Sequence, residues 1–587
     1  MNLTKRLLLS ALLLPLLLSA TDILPLSEIR PGMKGIGKTI FKGSEIEQFD
    51  FEVLGIQENA LGPGKSIIWT ELHNPILTET GVMQGMSGSP LYIDGRIIGA
   101  VAYGMSYAKK PIAGVTPIQD ILKTSEYNTP TISVEISNIN FNLDEQSTRT
   151  LRDTLMAAIG KRLDDLAVRS ISPIELIRTN DRSLVQQPSF KRLLGTAQIR
   201  PNFQPNTVAP GMFQLREADA VAIPLIRGDL EYTASGTVTY VNGKDVYMFG
   251  HPFYNLGTVN FPLHKAEVIT PFPSYNTSFK IHATRHMVGT VKQDRLSAVH
   301  GVLGEEPVLM PMKIFLKNRN KTINLEIVNH PLLNPTLTGL SLLNTFSSEY
   351  QDFGFQSLRV NGRIFIEGEK NIEISDFYSG LDSYNQFSNL MIAIQFFLLN
   401  NREKPANIQK IDFEFEGFEA LRRSSVEEVM VNKHHFKPGE PITLTITLQH
   451  ERGPRATEQI TIEAPKLTDN SEFFIFVGGK DEMLNFDSKN VKTDFFPTSL
   501  RAIIRAIGNL RKNNRIFVKI VSAQKGLFVN GYEYAQVPGS IQSVFSHNPS
   551  EFTQQNVIKM STLAEYQIDV PNVITGWKVF KLAIQER

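Results

Sequence analysis

The spacing of apolar residues changes several times along the chain. From about Ile29 to Leu122 they come in short runs broken by turn residues. Thr39-Ile40-Phe41, Lys42-Gly43-Ser44 and Phe49 to Leu54 read as strand, turn and strand, and Gly62-Pro63-Gly64 as a loop. From Asp144 the period becomes helical: Leu151, Leu155, Ala158, Ile159, Leu163 and Leu166 recur with Arg, Asp and Lys between them. A helical insertion over roughly 145–185 is predicted. Strands resume near Ala209-Pro210-Gly211. Gly236 to Tyr240, Asn242-Gly243 and Lys244 to Phe249 predict a hairpin on a type I′ turn, with His251 emerging after its second strand. Strand patterns continue to about Pro335, and a mixed region follows. There the pattern predicts a helix from Tyr384 to Asn400, in which Leu390 to Leu399 is apolar but too short to span a membrane and so reads as buried. Ile411 to Glu416 alternates like a half-buried strand. From about Val426 the text is that of a β-sandwich, with Pro438-Gly439-Glu440-Pro441 as a turn, Ile442 to Leu448 and Gln459 to Ala464 as strands, and one helix from Ser499 to Leu510.

Length and charge narrow the classes of function. The chain has 587 residues, more than one core organises, so two to four domains are expected. Lys+Arg 60 against Asp+Glu 59 leaves a net charge of +1 and no basic cluster for a polyanion, so no nucleic-acid partner is expected. Cysteine is absent, which excludes disulfides, thiolate catalysis, Cys-ligated zinc and a lipoprotein anchor. Lys5 and Arg6 precede an apolar run from Leu7 to Leu18 that ends in Ser19-Ala20, the build of a cleaved export signal over 1–20. No other stretch is long and apolar enough to cross a membrane. The expected location is therefore exported, periplasmic or extracellular, with no integral span in the mature chain.

The densest chemistry lies in Gly85-Met86-Ser87-Gly88-Ser89-Pro90. A nucleophilic serine must stand clear on a tight turn, and small neighbours let a substrate backbone approach. Gly85 can turn the peptide so that the amides of Gly85 and Ser87 face one oxyanion. The plain alternative is a loop, because Gly, Ser and Pro dominate turns.

Wider context bears on that choice. Arg30 to Thr39, Phe49 to Gly55 and Thr80 to Pro90 together resemble the SpoIVB sporulation peptidase family, and Ala100 to Gly104 and Gly114 to Ile118 continue the likeness. A second block, Gly236 to Tyr240 and Phe249-Gly250-His251-Pro252-Phe253, is similar to the same family. The resemblance implies a serine peptidase with a trypsin-like β-barrel, Ser87 as nucleophile and His251 as base. Two departures stand out. The serine block precedes the histidine block here, so their order looks permuted; a triad is defined by geometry and not by chain order. Where the family has the aspartate of an Asp-Pro pair, this chain has Asn74-Pro75. Asn74 can orient an imidazole but cannot stabilise an imidazolium by charge.

The expected fold class is mainly β with helical insertions: a trypsin-like β-barrel peptidase domain plus a C-terminal β-sandwich-like region. The expected divisions are a signal peptide at 1–20, a serine-bearing β half at 21–125, a helical insertion at 126–204, a histidine-bearing β half at 205–345, a mixed connector at 346–425 and a β-rich module at 426–587. Residues 30–122 and 205–330 are expected to pack together and bring Ser87 to His251. Ser89 is the rival nucleophile and His73 the rival base, while Asp245 and Asp294 are candidate acids, each with a surface charge as the plainer reading. His264, His282, His286 and His300 share a block without the spacing of a zinc frame, so no metal and no cofactor are expected. The functional expectation is an exported serine endopeptidase acting on itself or on one envelope protein. The alternative is an inactive peptidase-like scaffold. The partner is a protein or peptide substrate, and the sequence leaves the oligomeric state open.

Overall fold

The computed structural model describes residues 22–127, 143–164, 198–199, 214–350, 356–401, 403–468, 470–490, 499–529, 532–535, 537–547 and 555–585. The export signal and residues 165–185 of the predicted helical insertion lie outside the described residues.

Six strands close a first barrel: β1 (Lys34–Thr39), β2 (Glu47–Gly62), β3 (Lys65–His73), β4 (Pro90–Ile93), β5 (Arg96–Tyr103) and β6 (Ile112–Pro117), in the order β1-β2-β3-β6-β5-β4. Closure leaves no unpaired edge. Alternation fills the interior, since Phe49, Phe51 and Val53 on β2 all point inward and meet Ile68, Leu72, Leu91, Ile98, Val101 and Val115. Gly37 on β1 makes room for this packing, because a Cβ there would lie 2.2 Å from the Phe49 ring. The helix α1 (Pro75–Thr80) leaves β3, and the turn carrying Ser87 runs from it into β4. A short helix α2 (Ile118–Leu122) follows β6, and α3 (Glu145–Asp164) confirms the start of the helical stretch.

A second β system holds β7 (Gln198–Ile199), β8 (Ala220–Gly228), β9 (Leu230–Asn242), β10 (Asp245–Met248), β11 (Gly257–Phe272), β12 (Phe279–Arg295), β13 (Ala298–Leu303), β14 (Leu309–Leu316), β15 (Lys321–Val328), β16 (Gln356–Ile366), β17 (Ile372–Gly380) and β18 (Ile408–Phe418). They form a 12-stranded sheet in the order β17-β16-β18-β14-β15-β8-β11-β12-β13-β10-β9-β7. An additional β8–β9 pairing joins strands that are distant in this order. It closes β8-β11-β12-β13-β10-β9 into a second ring of strands. The hairpin β9–β10 forms as expected, but its register differs. Asn242 pairs with Asp245, so the turn residues are Gly243 and Lys244. Of these two only Gly243 has positive φ, which is the type II′ pattern and not type I′.

Helices α4 (Leu333–Glu349) and α5 (Ser383–Leu399) pack into the core of this second system. The apolar run Leu390 to Leu399 is buried there, as its length implied. The sequence did not predict α4, whose Thr, Ser and Asn residues hide its helical period. On β18, Ile411, Phe413 and Phe415 are buried, matching the alternation read from the sequence.

Beyond residue 420, a four-stranded and a five-stranded sheet share one apolar core that includes Val426, Ile442, Leu444, Phe473, Ile475 and Val518. Two sheets over one core make a sandwich. The predicted helix is Leu500–Gly508, capped by Ser499, whose Oγ accepts from Ala502 N. The protein is thus mainly β, with a closed six-stranded barrel and further sheets. Among the described residues no helix is long and apolar enough to cross a membrane.

Candidate active site between two β systems

The serine turn is built by local chemistry and held from outside. Asn74 caps α1, with its Oδ1 accepting from Ile76 N at 2.9 Å and its Nδ2 reaching Gln48 O at 3.4 Å. Beyond α1 the chain folds into consecutive tight turns, where Met86 N donates to Met83 O and Ser89 N to Met86 O. Gly85 and Gly88 take φ +89° and +94°, a region that side chains disfavour. Gly88 is also a close approach, because a Cβ there would sit 1.9 Å from Thr237 O.

Strand β9 of the second ring grips this turn. Thr237 N donates to Ser87 O at 2.8 Å, Thr237 Oγ1 to Gly85 O at 3.0 Å, and Thr239 Oγ1 to Gly88 O at 2.8 Å. Thr237 O in turn accepts from Phe249 N at 3.3 Å, two residues before His251. The serine and histidine segments therefore meet at Thr237. They meet again at β5 and β6. Val101 O accepts from Gly88 N, Thr116 Oγ1 donates to Gly250 O at 2.5 Å, and Gly250 packs on Ala100 and Ala102.

His251 leaves β10 through a strained bend. Phe249 and Gly250 have φ +71° and +69°, and a non-glycine residue there costs about 1–2 kcal/mol. The imidazole lies beside Tyr103 and Phe249, with ring centroids 6.4 and 5.9 Å away. Its Nδ1 is 2.7 Å from Pro252 O. A carbonyl only accepts, so Nδ1 carries the proton and Nε2 is left as the basic nitrogen of the neutral ring.

The other candidate residues are placed elsewhere. Asp294 is fully buried and supports the loop after His251, accepting from Phe253 N at 2.7 Å, Tyr254 N at 2.8 Å and Leu256 N at 3.1 Å. Burial raises its carboxyl to about 6, with the three amides opposing that shift. Its plain reading as a surface charge is therefore wrong. Asp245 pairs with His300 Nε2 at 2.8 Å. His264 Nδ1 donates to Arg285 O, and burial lowers its pKa to about 4. His73 pairs with Asp50 in the β2–β3 ladder. Ser89 Oγ donates to Thr39 Oγ1 at 2.9 Å.

Ser87 and His251 are both fully buried. Ser87 Oγ has no hydrogen-bond partner among the described residues. The amides of Gly85 and Ser87 likewise donate to no acceptor among them. A cavity of about 330 Å³ lined by Ser44, Lys265, Glu267, Thr284, Arg285 and His286 touches neither Ser87 nor His251.

Thr237 and Thr239 were not singled out from sequence, and Asp294 was singled out only as a candidate acid. A signal existed for the threonines: Thr233, Ser235, Thr237 and Thr239 put a hydroxyl at every second position of β9, and all four are buried. Thr237 and Thr239 use these hydroxyls to bind the serine turn, whereas Thr233 Oγ1 and Ser235 Oγ have no hydrogen-bond partner among the described residues.

Residues 17–115 match the family model described as SpoIVB peptidase S55. The match bears out the resemblance over the first barrel and supports a SpoIVB-type serine peptidase at the level of the family. It includes Asn74, Gly85 and Ser87 and stops short of His251. No curated protein and no solved structure matches the chain.

Proposed function

We propose that the protein is an exported serine endopeptidase of the SpoIVB type that cleaves itself or one envelope protein through an acyl-enzyme. One observation carries this reading: Thr237 binds the Ser87 carbonyl and, through its own carbonyl, the strand end that presents His251. Ser87 Oγ attacks the scissile carbonyl carbon while His251 Nε2 takes its proton. The amides of Gly85 and Ser87 receive the oxyanion. The imidazolium then protonates the leaving amine, and water, deprotonated by the same nitrogen, releases the acyl group from Ser87. The orienting group in this scheme is the Pro252 carbonyl and not Asn74, which caps α1. A carbonyl fixes the tautomer and stabilises the imidazolium only by its dipole, so turnover slower than that of a carboxylate-backed triad is expected.

A second reading, the inactive scaffold, is favoured by the complete burial of Ser87 and His251. Labelling with a fluorophosphonate separates the two. The peptidase reading expects modification at Ser87 that is lost in Ser87→Ala and His251→Ala while both variants keep the wild-type melting temperature within a few degrees. Absence of labelling in the folded wild-type protein across pH 6 to 9 leaves the scaffold.

A further inference from the structure

Lys280 on β12 is almost fully buried and has no role in the scheme above. Its stem lies under the serine turn: a Cβ on Gly85 would be 3.3 Å from the lysine Cβ and Cδ. Its backbone amide donates to Gln84 O at 3.0 Å, which joins β12 to the residue before that glycine. The amine passes beneath the turn into the first barrel, where Nζ is 2.8 Å from Thr39 Oγ1. The same Thr39 oxygen accepts from Ser89 Oγ at 2.9 Å. One hydroxyl thus collects the lysine that supports Gly85 and the serine that ends the turn.

The surroundings of the amine are poor in compensating charge. Thr39 faces it from β1, and the Phe41 ring lies 5.8 Å away in the segment after β1. Glu47 at the start of β2 acts on it through its field without a salt bridge. Burial lowers its pKa to about 7, with Glu47 opposing. A methionine would fill the same volume without the cost of burying an amine. Local choices that cost stability are kept where function needs them.

We propose that Lys280 is a positioning residue for the Gly85–Ser89 turn, supporting Gly85 with its stem and fixing Ser89 through Thr39 Oγ1, so that Ser87 and the two oxyanion amides keep one geometry. The proposal rests on Ser87 being the nucleophile, and its test has an arm that does not.

The test compares the full-length wild-type chain with Lys280→Met and Thr39→Val. Three readouts are taken: melting temperature against pH, the rate of fluorophosphonate labelling at Ser87, and amide exchange of Gly88 and Ser89. The lysine pKa of about 7 in the folded chain lies below its ordinary 10.5. Between those values the unfolded chain binds more protons, so wild-type stability rises with pH across this window. Lys280→Met is therefore expected to be most stable relative to wild type below pH 7, with the gap closing toward pH 10. Space-filling alone does not produce that dependence. At pH 8 the variant is expected to label Ser87 at least tenfold more slowly, and its Gly88 and Ser89 amides to exchange at least tenfold faster. Labelling at the wild-type rate, or unchanged exchange, overturns the proposal. If Lys280→Met does not fold, Thr39→Val decides the matter, because it cuts the link between amine and Ser89 and leaves the lysine in place. If the wild-type chain itself does not label, the peptidase reading fails, and the exchange arm still supports or overturns the positioning role.

Discussion

Ser424 touches a histidine directly, whereas Ser87 shares with the His251 segment only the strand residue Thr237, and the two serines differ in what surrounds them. In the C-terminal sandwich Ser424 and His450 are register partners on adjacent strands, with Ser424 Oγ 2.7 Å from His450 Nδ1. Asn572 Nδ2 donates to Ser424 Oγ at 2.9 Å and lies 3.2 Å from His450 Nδ1. As a serine–histidine contact this is well formed. Yet the Ser424 backbone runs between two paired strands, in the ladder of a sheet and not on a turn. Ser87 is the reverse case. It stands on a turn between two positive-φ glycines, with the neighbouring amides of Gly85 and Ser87 unengaged among the described residues. If Ser87 is the nucleophile proposed above, acyl-transfer chemistry is marked less by a hydroxyl touching an imidazole than by unengaged backbone donors beside a turn-borne hydroxyl.

The sharpest way to break this comparison is to exchange the predicted outcomes at the two serines. Ser87→Ala is expected to abolish fluorophosphonate labelling, and Ser424→Ala to leave labelling of Ser87 at the wild-type rate. Label mapped by mass spectrometry to Ser424 instead would reverse the assignment.

Asp294→Ala comes next in size. It leaves three buried amides without an acceptor, at about 1–3 kcal/mol each. A fall in melting temperature of many degrees, or loss of soluble protein, is expected. The pH dependence at Asp294 has a defined sign. Its carboxyl titrates at about 6 in the folded chain, above its ordinary 3.8. The folded state therefore holds a proton that the unfolded chain has released, and this group's contribution to stability falls as pH rises from 4 to 6 and is flat above. In Asp294→Asn that slope is expected to vanish from a melting-temperature profile. A slope unchanged by the substitution would assign the titration to another group.

Thr237→Val keeps the shape and removes the hydroxyl bonded to Gly85 O. A stability loss of about 1 kcal/mol is expected, with Ser87 labelling slowed about tenfold, a change in barrier of about 1.4 kcal/mol. Labelling at full speed would mean that β9 holds the turn without governing its chemistry.

The smallest effect is expected at Asn74. As a helix cap, its replacement by alanine costs about 1 kcal/mol in chemical denaturation, with no change in Ser87 labelling and no gain in Asn74→Asp. Faster labelling in Asn74→Asp would restore Asn74 as the group that orients His251.

Much of the fold was legible in the sequence, because strands and helices announce themselves through local period. The half-buried strand at Ile411 to Glu416, the buried helix around Leu390, the helix from Ser499 and the sandwich strands from Val426 follow from alternation, spacing and turn residues within a few positions. The turn at Gly85 to Ser89 was also legible, since glycines flank its serine. The hairpin after β9 shows the limit. Asn242-Gly243 marks a turn, but the pairing of Tyr240 with Tyr247 set the register one residue further on.

What the sequence determined by itself was the presence of a serine-bearing turn and a histidine at a strand end, for these depend on residues close in the chain. What only the tertiary structure decided was which groups serve them. Asn74 was one possible orienting group for a histidine and caps a helix, because the N-terminal amides of α1 are its nearest unsatisfied donors. Asp294 stands 43 positions beyond His251 and was a candidate acid with a surface charge as its plainer reading, yet it holds the loop that follows the histidine. Lys280 gives no local sign that its amine will reach Thr39. Such partners come together through the pairing of distant strands, and a buried polar group bonds to whatever the packed strands bring within about 3 Å of it.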